Sequence, residues 1–193
     1  MAARSRVMAK YAEGGAMCAV IGQDPDTVSA VCDTIPGLVL PVNFNAPAQT
    51  VISGEAAAVQ AAAAELKARR CRTVILPVSG AFHTPMMQPA ADALRQAASA
   101  FCYSPVTMDF YSNLTGGRLV IGDYPDYFAK HMTSPVRFVE QVAAMWGDGV
   151  AACVEFGPKK TAVALVKKNN KAIAAINVED TASLKKAMEV LKR

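Results

Sequence analysis

Four short apolar runs interleaved with two helix patterns between residues 15 and 78 constrain the fold more than anything else in this chain. Residues 16–21 read as a strand. Asp24-Pro25-Asp26 opens a helix to about Asp33, with Asp24 as N-cap and Pro25 at the first helical position. Residues 38–43 and 49–53 read as two further strands. Asn45-Ala46-Pro47 marks a turn between them, so the two pair as a hairpin. An Ala-rich helix over residues 54–70 and a strand over 72–77 complete the order β-α-β-β-α-β. That order predicts a ferredoxin-like arrangement, an antiparallel sheet with two helices on one face.

The rhythm changes after His83. Helices are expected over residues 84–101, 124–132, 135–146, 158–169 and 181–192. Strands are expected over 106–111, 150–156 and 171–177, with a turn at Thr115-Gly116-Gly117. Alternating strands and helices imply parallel pairing through helical crossovers. Three strands are few for a parallel sheet, which needs both faces covered. A helix over residues 2–12 precedes the first strand and is ended by Gly14-Gly15. The expected organisation is residues 1–14 as a helix of a large α/β unit, 15–78 as the ferredoxin-like unit, and 79–193 as the rest of the large unit.

A hydrophobic content of 52% supports a packed core and excludes a disordered chain. No apolar run approaches the roughly 18 residues of a membrane helix, and no apolar stretch follows the first four residues as in a signal peptide. Both observations point to the cytosol. Cys18, Cys32, Cys71, Cys102 and Cys153 are scattered in apolar settings and read as buried reduced thiols, with no metal cluster. Net charge is +4, but the stretch from Pro158 onward carries nine basic residues against three acidic ones. That stretch is a solvated helix face or a docking surface for an acidic or phosphate-bearing partner. Few aromatics interleave with its lysines, which argues against nucleic acid.

His83 carries the chemistry. It is one of two histidines and lies in Gly80-Ala81-Phe82-His83-Thr84-Pro85, between a strand pattern and a helix pattern. A strand end can present a catalytic base in this way. The sequence contains no Gly-x-Ser-x-Gly elbow for that base to activate. The residues therefore read as half of an acyl-transfer site, with the nucleophile outside them. His131, in a helix after Lys130, reads as a surface histidine.

Seven segments in order resemble one family: Arg4-Ser5-Arg6-Val7-Met8, residues 41–47, Gln49 to Gly54, Gly80 to Met87, Tyr111 to Gly116, Ser134-Pro135-Val136-Arg137-Phe138 and Glu155-Phe156-Gly157-Pro158. The family is the malonyl-CoA:acyl carrier protein transacylases of fatty acid biosynthesis, with the related acyltransferase domains of polyketide synthases. The resemblance implies an incomplete α/β-hydrolase-like parallel-sheet subdomain with a ferredoxin-like (βαββαβ) subdomain inserted. It also implies that the family's N-terminal third, with its Gly-Gln-Gly and Gly-His-Ser-x-Gly segments, lies outside this sequence.

The implied reaction moves a malonyl group from coenzyme A to the phosphopantetheine thiol of acyl carrier protein through a seryl ester. His83 matches the family's base. Arg4 matches the arginine that clamps the malonyl carboxylate in a bidentate fork, with Arg6 as competitor. Phe82 matches the malonyl-selective form of the motif, where a phenyl ring fills the space of an α-methyl group. The stretch holding Arg137 matches the one whose backbone carbonyl orients the histidine. Asn43 and Asn45 resemble a motif near the pocket or, alternatively, cap a turn. Lys159 and Lys160 depart from the family's Gly-Lys pattern. The implied partners are acyl carrier protein and a coenzyme A thioester, with no nucleic acid, no membrane, no metal and no tightly bound cofactor; the missing N-terminal part either lies on another polypeptide or was lost through truncation or a wrongly placed start. The alternative is a non-catalytic fragment that binds carrier protein or a partner chain. A truncated sheet is expected to leave the isolated chain oligomeric or aggregation-prone.

Overall fold

The computed structural model describes residues 2–191. Its elements in chain order are α1 (Ala2–Lys10), β1 (Gly15–Ile21), α2 (Pro25–Cys32), β2 (Val39–Ala46), β3 (Gln49–Glu55), α3 (Ala56–Ala68) and β4 (Arg72–Ile75). A 3₁₀ turn at Pro85–Met87 leads into α4 (Gln88–Ala98), β5 (Tyr111–Ser112), β6 (Gly117–Arg118) and α5 (Tyr124–Thr133). The chain ends with α6 (Phe138–Gly147), β7 (Ala152–Phe156), α7 (Thr161–Asn169), β8 (Ala174–Val178) and α8 (Thr181–Leu191).

The first four strands form one antiparallel sheet in the order β2-β3-β1-β4. Alternation along β1 and β3 sends Cys18, Val20 and Ile52 to one face, where α2 and α3 supply Val28, Val31, Val59 and Leu66. These residues are at most 3% exposed and form the largest buried cluster among the described residues. Asp24 caps α2 as expected, its carboxylate accepting from the Thr27 N–H at 2.9 Å. The opposite face carries Met17, Val42 and Val51, with Leu76 and Phe82 packed against them. The segment after β4 is thereby folded under the sheet, close to the chemistry-bearing residues.

β2 is an edge strand, and part of its outer edge is paired. Two register irregularities between Pro41 and Ala46 kink it. Val136 then pairs along it in parallel, donating to the Val42 carbonyl at 2.7 Å and accepting from the Phe44 N–H at 2.9 Å. This short pairing ties the segment before α6 to the antiparallel sheet.

β7 and β8 pair in parallel across α7, whose Val166 packs with Val142 of α6 and Ile173. The Glu155 carboxylate accepts from the N–H groups of Ala162 and Val163 at the start of α7. Lys159 adopts φ +71°, a conformation that suits glycine, so the departure from the Gly-Lys pattern leaves the turn in place.

Several expectations are corrected. Residues 106–110 form no strand, and only Tyr111–Ser112 pair, antiparallel with β6. A strand exists only beside a neighbour, and here Val106 and Met108 are 47% and 80% exposed. The parallel sheet thus has two described strands. The helix expected from residue 135 begins at Phe138, because Val136 is engaged by β2. The helix expected from residue 84 begins with a 3₁₀ turn. Cys18, Cys32 and Cys71 are buried as expected, but Cys102 is exposed and Cys153 half-buried. Burial pushes the Cys32 thiol up to about 11. No described helix is long and apolar enough to cross a membrane.

Candidate active site

His83 sits where the segment under the sheet turns into α4. Its φ is +66°, a left-handed conformation that a β-carbon disfavours. Two features hold it there. Buried Thr84 donates its hydroxyl to the Ala81 carbonyl at 2.7 Å, and the same oxygen accepts from the Met86 N–H at 3.3 Å. The His83 N–H donates to the Met132 carbonyl at 3.1 Å. That carbonyl belongs to the last turn of α5, where helix carbonyls have no intrahelical partner.

The imidazole uses the same helix end. His83 Nδ1 lies 3.1 Å from the His131 carbonyl and 3.0 Å from the Ser134 carbonyl. Carbonyls only accept, so Nδ1 carries the proton and Nε2 holds the free lone pair. Burial pushes the His83 pKa down, opposed by the two carbonyls and reinforced by the positive charge of Arg4. The ring is thus a neutral base at pH 7, with its tautomer set by backbone and no third carboxylate.

One carbonyl comes from the expected stretch 134–138, at Ser134 and not at Arg137, and the other comes from His131, outside it. Arg137 is exposed and pairs with Glu140 at 2.6 Å, while its own carbonyl accepts from Gln141 in α6. Ser134 and His131 face the ring. The Ser134 carbonyl owes its place to the Val136–β2 pairing two residues on. Asn43 lies opposite Val136 in that pairing, with its side-chain oxygen buried and unpartnered among the described residues. Asn45 lies in β2 and accepts through its carbonyl from the Asn169 side chain of α7 at 2.8 Å. Neither asparagine caps the turn.

Arg4 is half-buried and Arg6 exposed. Positions 4, 7, 8 and 11 form one face of α1 by helical periodicity. Val7, Met8 and Tyr11 of that face pack against Met87 and Ala90 of the α4 region, Ala129 and Met132 of α5, and Phe82. Arg4 continues that stripe and its charge acts on His83, and among the described residues it forms no ion pair. Phe82 joins two clusters, and its ring covers Gly80, where a β-carbon would lie 2.5 Å from it.

His131 is not a surface residue. Its ring meets that of His83 edge-on, with centroids 5.6 Å apart, and its centroid lies 6.1 Å from that of Tyr127. Burial first, then His83 and Arg4, push its pKa down to about 4. The signal available in the sequence was its position three residues before Ser134, in the turn that closes α5.

No group of three or more His, Cys, Asp or Glu among the described residues is placed to hold a metal ion. The arrangement presents a neutral base with an oriented lone pair and an unpaired guanidinium, the parts needed to deprotonate a hydroxyl beside an anionic acyl group.

Comparison with known proteins gives a consistent result. The acyl transferase domain model matches residues 1–189. A malonyl CoA-acyl carrier protein transacylase of Bacillus subtilis is 33% identical over 183 residues, covering 92% of this chain and 58% of the relative. The corresponding protein of Haemophilus influenzae is 35% identical over 181 residues, with the same two coverages. The crystal structure of the Clostridium perfringens transacylase superposes with a TM-score of 0.93 at 33% identity, over 98% of this chain and 62% of that one. A type II polyketide acyl-carrier protein in complex with its malonyl-transacylase is similar at TM-score 0.90 and 32% identity, over 97% of this chain and 62% of that one. The chain thus spans less than two thirds of the length of these relatives.

Proposed function

Because this chain belongs to the acyl transferase domain family, we propose that it supplies the base and the carboxylate clamp for moving a malonyl group from coenzyme A to acyl carrier protein. The observation that carries this reading is the His83 imidazole, held by two carbonyls so that Nε2 is free, with the charge of Arg4 near enough to act on the ring. Residues 15–78 form the ferredoxin-like unit in this reading, and 1–14 with 79–193 form part of an α/β-hydrolase-like unit. In this reading the serine nucleophile lies outside these residues.

The chemistry follows from the geometry. Nε2 takes the serine proton as the hydroxyl attacks the thioester carbonyl, and the Nδ1–H bonds to Ser134 and His131 strengthen as the ring becomes an imidazolium. The imidazolium returns the proton to the departing thiolate. The phosphopantetheine thiol of the carrier then repeats the sequence on the seryl ester. Arg4 holds the free carboxylate in a bidentate fork, which selects malonyl over acetyl. The Phe82 ring occupies space beside the acyl group, and exclusion of one methyl is worth only about 1–3 kcal/mol.

Intact-mass analysis tests the proposal. The chain is mixed with malonyl-CoA and with the N-terminal two fifths of a relative supplied as a second polypeptide. A malonyl adduct is expected on that polypeptide's serine, and is lost with His83→Ala. A folded mixture with no adduct overturns the catalytic reading in favour of a binding module.

A further inference from the structure

The charges around His83 share one sign. From α1, whose Val7, Met8 and Tyr11 pack on the cluster of Met87 and Met132 that flanks His83, the charge acting on the ring is Arg4. From α5 it is His131, itself 6.1 Å from the Tyr127 ring, while Lys130 pairs with Asp126 at 2.8 Å. The segment 134–137 offers only a backbone carbonyl, its Arg137 being exposed and paired with Glu140. From the 3₁₀ turn and α4 the packed side chains are Met87 and Ala90, and the charges of that helix, Asp92 and Arg95, lie outward in exposed pairs. Among the described residues, then, three groups able to carry positive charge gather at the ring, and no carboxylate faces it.

Such a cluster is electrostatically incomplete. A guanidinium beside two imidazoles opposes protonation of both, and in a part-buried site that opposition is weakly screened. A carboxylate docked on the guanidinium cancels it. We propose that Arg4, His83 and His131 form one linked cluster, in which an acyl group bearing a carboxylate strengthens His83 as a base when Arg4 binds it. This inference rests on the reading of Arg4 as the carboxylate clamp and extends it. Arg4 does not only retain the malonyl group. Its occupancy reports to the base, so a neutral acyl group that enters the site meets a weaker base. His131 acts as a positioning residue, holding the His83 ring by its carbonyl and by the edge of its own imidazole. Because the two rings are in contact, a proton on one opposes a proton on the other.

The test uses the whole chain, labelled at histidine, with the ring Cε1–H signals of His83 and His131 followed through a pH titration by NMR. The probe is monomethyl malonate, which has one carboxylate and one ester; methyl acetate, which lacks the carboxylate, is the control at matched ionic strength. Saturating monomethyl malonate is expected to raise the His83 pKa by about 0.3–1 unit, and methyl acetate to leave it unchanged. Arg4→Gln is expected to raise the ligand-free value and abolish the response, whereas Arg6→Gln leaves both as they were. A His83 pKa that does not move with saturating monomethyl malonate overturns the inference, as does a response that survives in Arg4→Gln. The wild-type comparison is decisive by itself if the Arg4 variant does not fold. Failure here with a malonyl adduct still formed in the two-polypeptide assay removes the linkage and leaves the acyl-transfer reading standing.

Discussion

Gly15→Ala reaches the base through the backbone. Gly15 opens β1 and lies directly on the segment that carries His83. A β-carbon built there would stand 2.2 Å from the Ala81 nitrogen and 2.8 Å from both the Ala81 β-carbon and the Gly80 carbonyl carbon. Non-bonded carbons rest at about 3.5 Å, so residues 80 and 81 must retreat by roughly 1 Å. Those atoms are main chain and cannot swing aside as a flexible side chain does. Overpacking of this kind costs about 1–3 kcal/mol. In a chain of this size each kcal/mol lowers Tm by about 2–4 °C.

The larger effect falls on His83, two residues on. Its Nδ1 bonds are 3.0 and 3.1 Å long, and a displacement near 1 Å takes at least one beyond hydrogen-bonding range. The fixed tautomer is lost, and a misplacement of this size lowers acyl transfer by about 10²-fold. Urea unfolding reads the first effect. Long-range ¹H–¹⁵N spectra of the imidazole read the second, and malonyl-ester formation with the complementing polypeptide reads the third. Gly22→Ala is the control: its φ of +99° penalises a β-carbon, yet nothing lies within 4 Å. It is expected to cost about 1 kcal/mol through backbone conformation alone and leave the His83 tautomer intact. Gly15→Ala within about 0.5 kcal/mol of wild type, with an unchanged His83 spectrum, would refute the reasoning.

Other perturbations have defined outcomes. Leu66→Ala empties a fully buried position between α3 and the sheet and is expected to cost about 2–5 kcal/mol in urea unfolding. Both histidines have folded pKa values depressed below the ordinary 6.5, His131 to about 4. The unfolded chain therefore binds more protons than the folded one between about pH 4 and 6.5, so stability falls as pH drops through that window. His131→Gln should flatten this dependence, as followed by Tm against pH. Lys159→Gly relieves the left-handed turn after β7 and is expected to raise stability by about 0.5–1 kcal/mol, seen as a higher Tm.

The antiparallel sheet was readable because its signals are local. Alternation over residues 16–21 and 49–53, the Asp24-Pro25 helix start and the Ala-rich run all act within a few residues, and each survives in the structure. Residues 106–110 show the opposite case. Their β-like composition asks for a neighbouring strand, and pairing is a non-local property that no window of sequence contains. His83 was legible from its motif and its place between two patterns. The groups that tune it were not. Its two carbonyl partners are backbone atoms, invisible as residue types, and one of them is placed by an edge pairing between Val136 and β2, more than ninety residues apart in the chain. His131 resembled a surface histidine because a helix pattern of alternating polar and apolar residues does not say which polar position faces a neighbouring turn.

The left-handed backbone at His83 sets stability and chemistry against each other at a single residue. A β-carbon at φ +66° costs on the order of 1 kcal/mol that glycine would not. His83→Gly therefore relaxes the turn while deleting the base. A library of this chain sorted only for abundance or heat resistance is drawn toward the variant that has lost the imidazole. Under the proposed role, a screen for acyl transfer keeps the imidazole and a screen for a well-folded domain discards it.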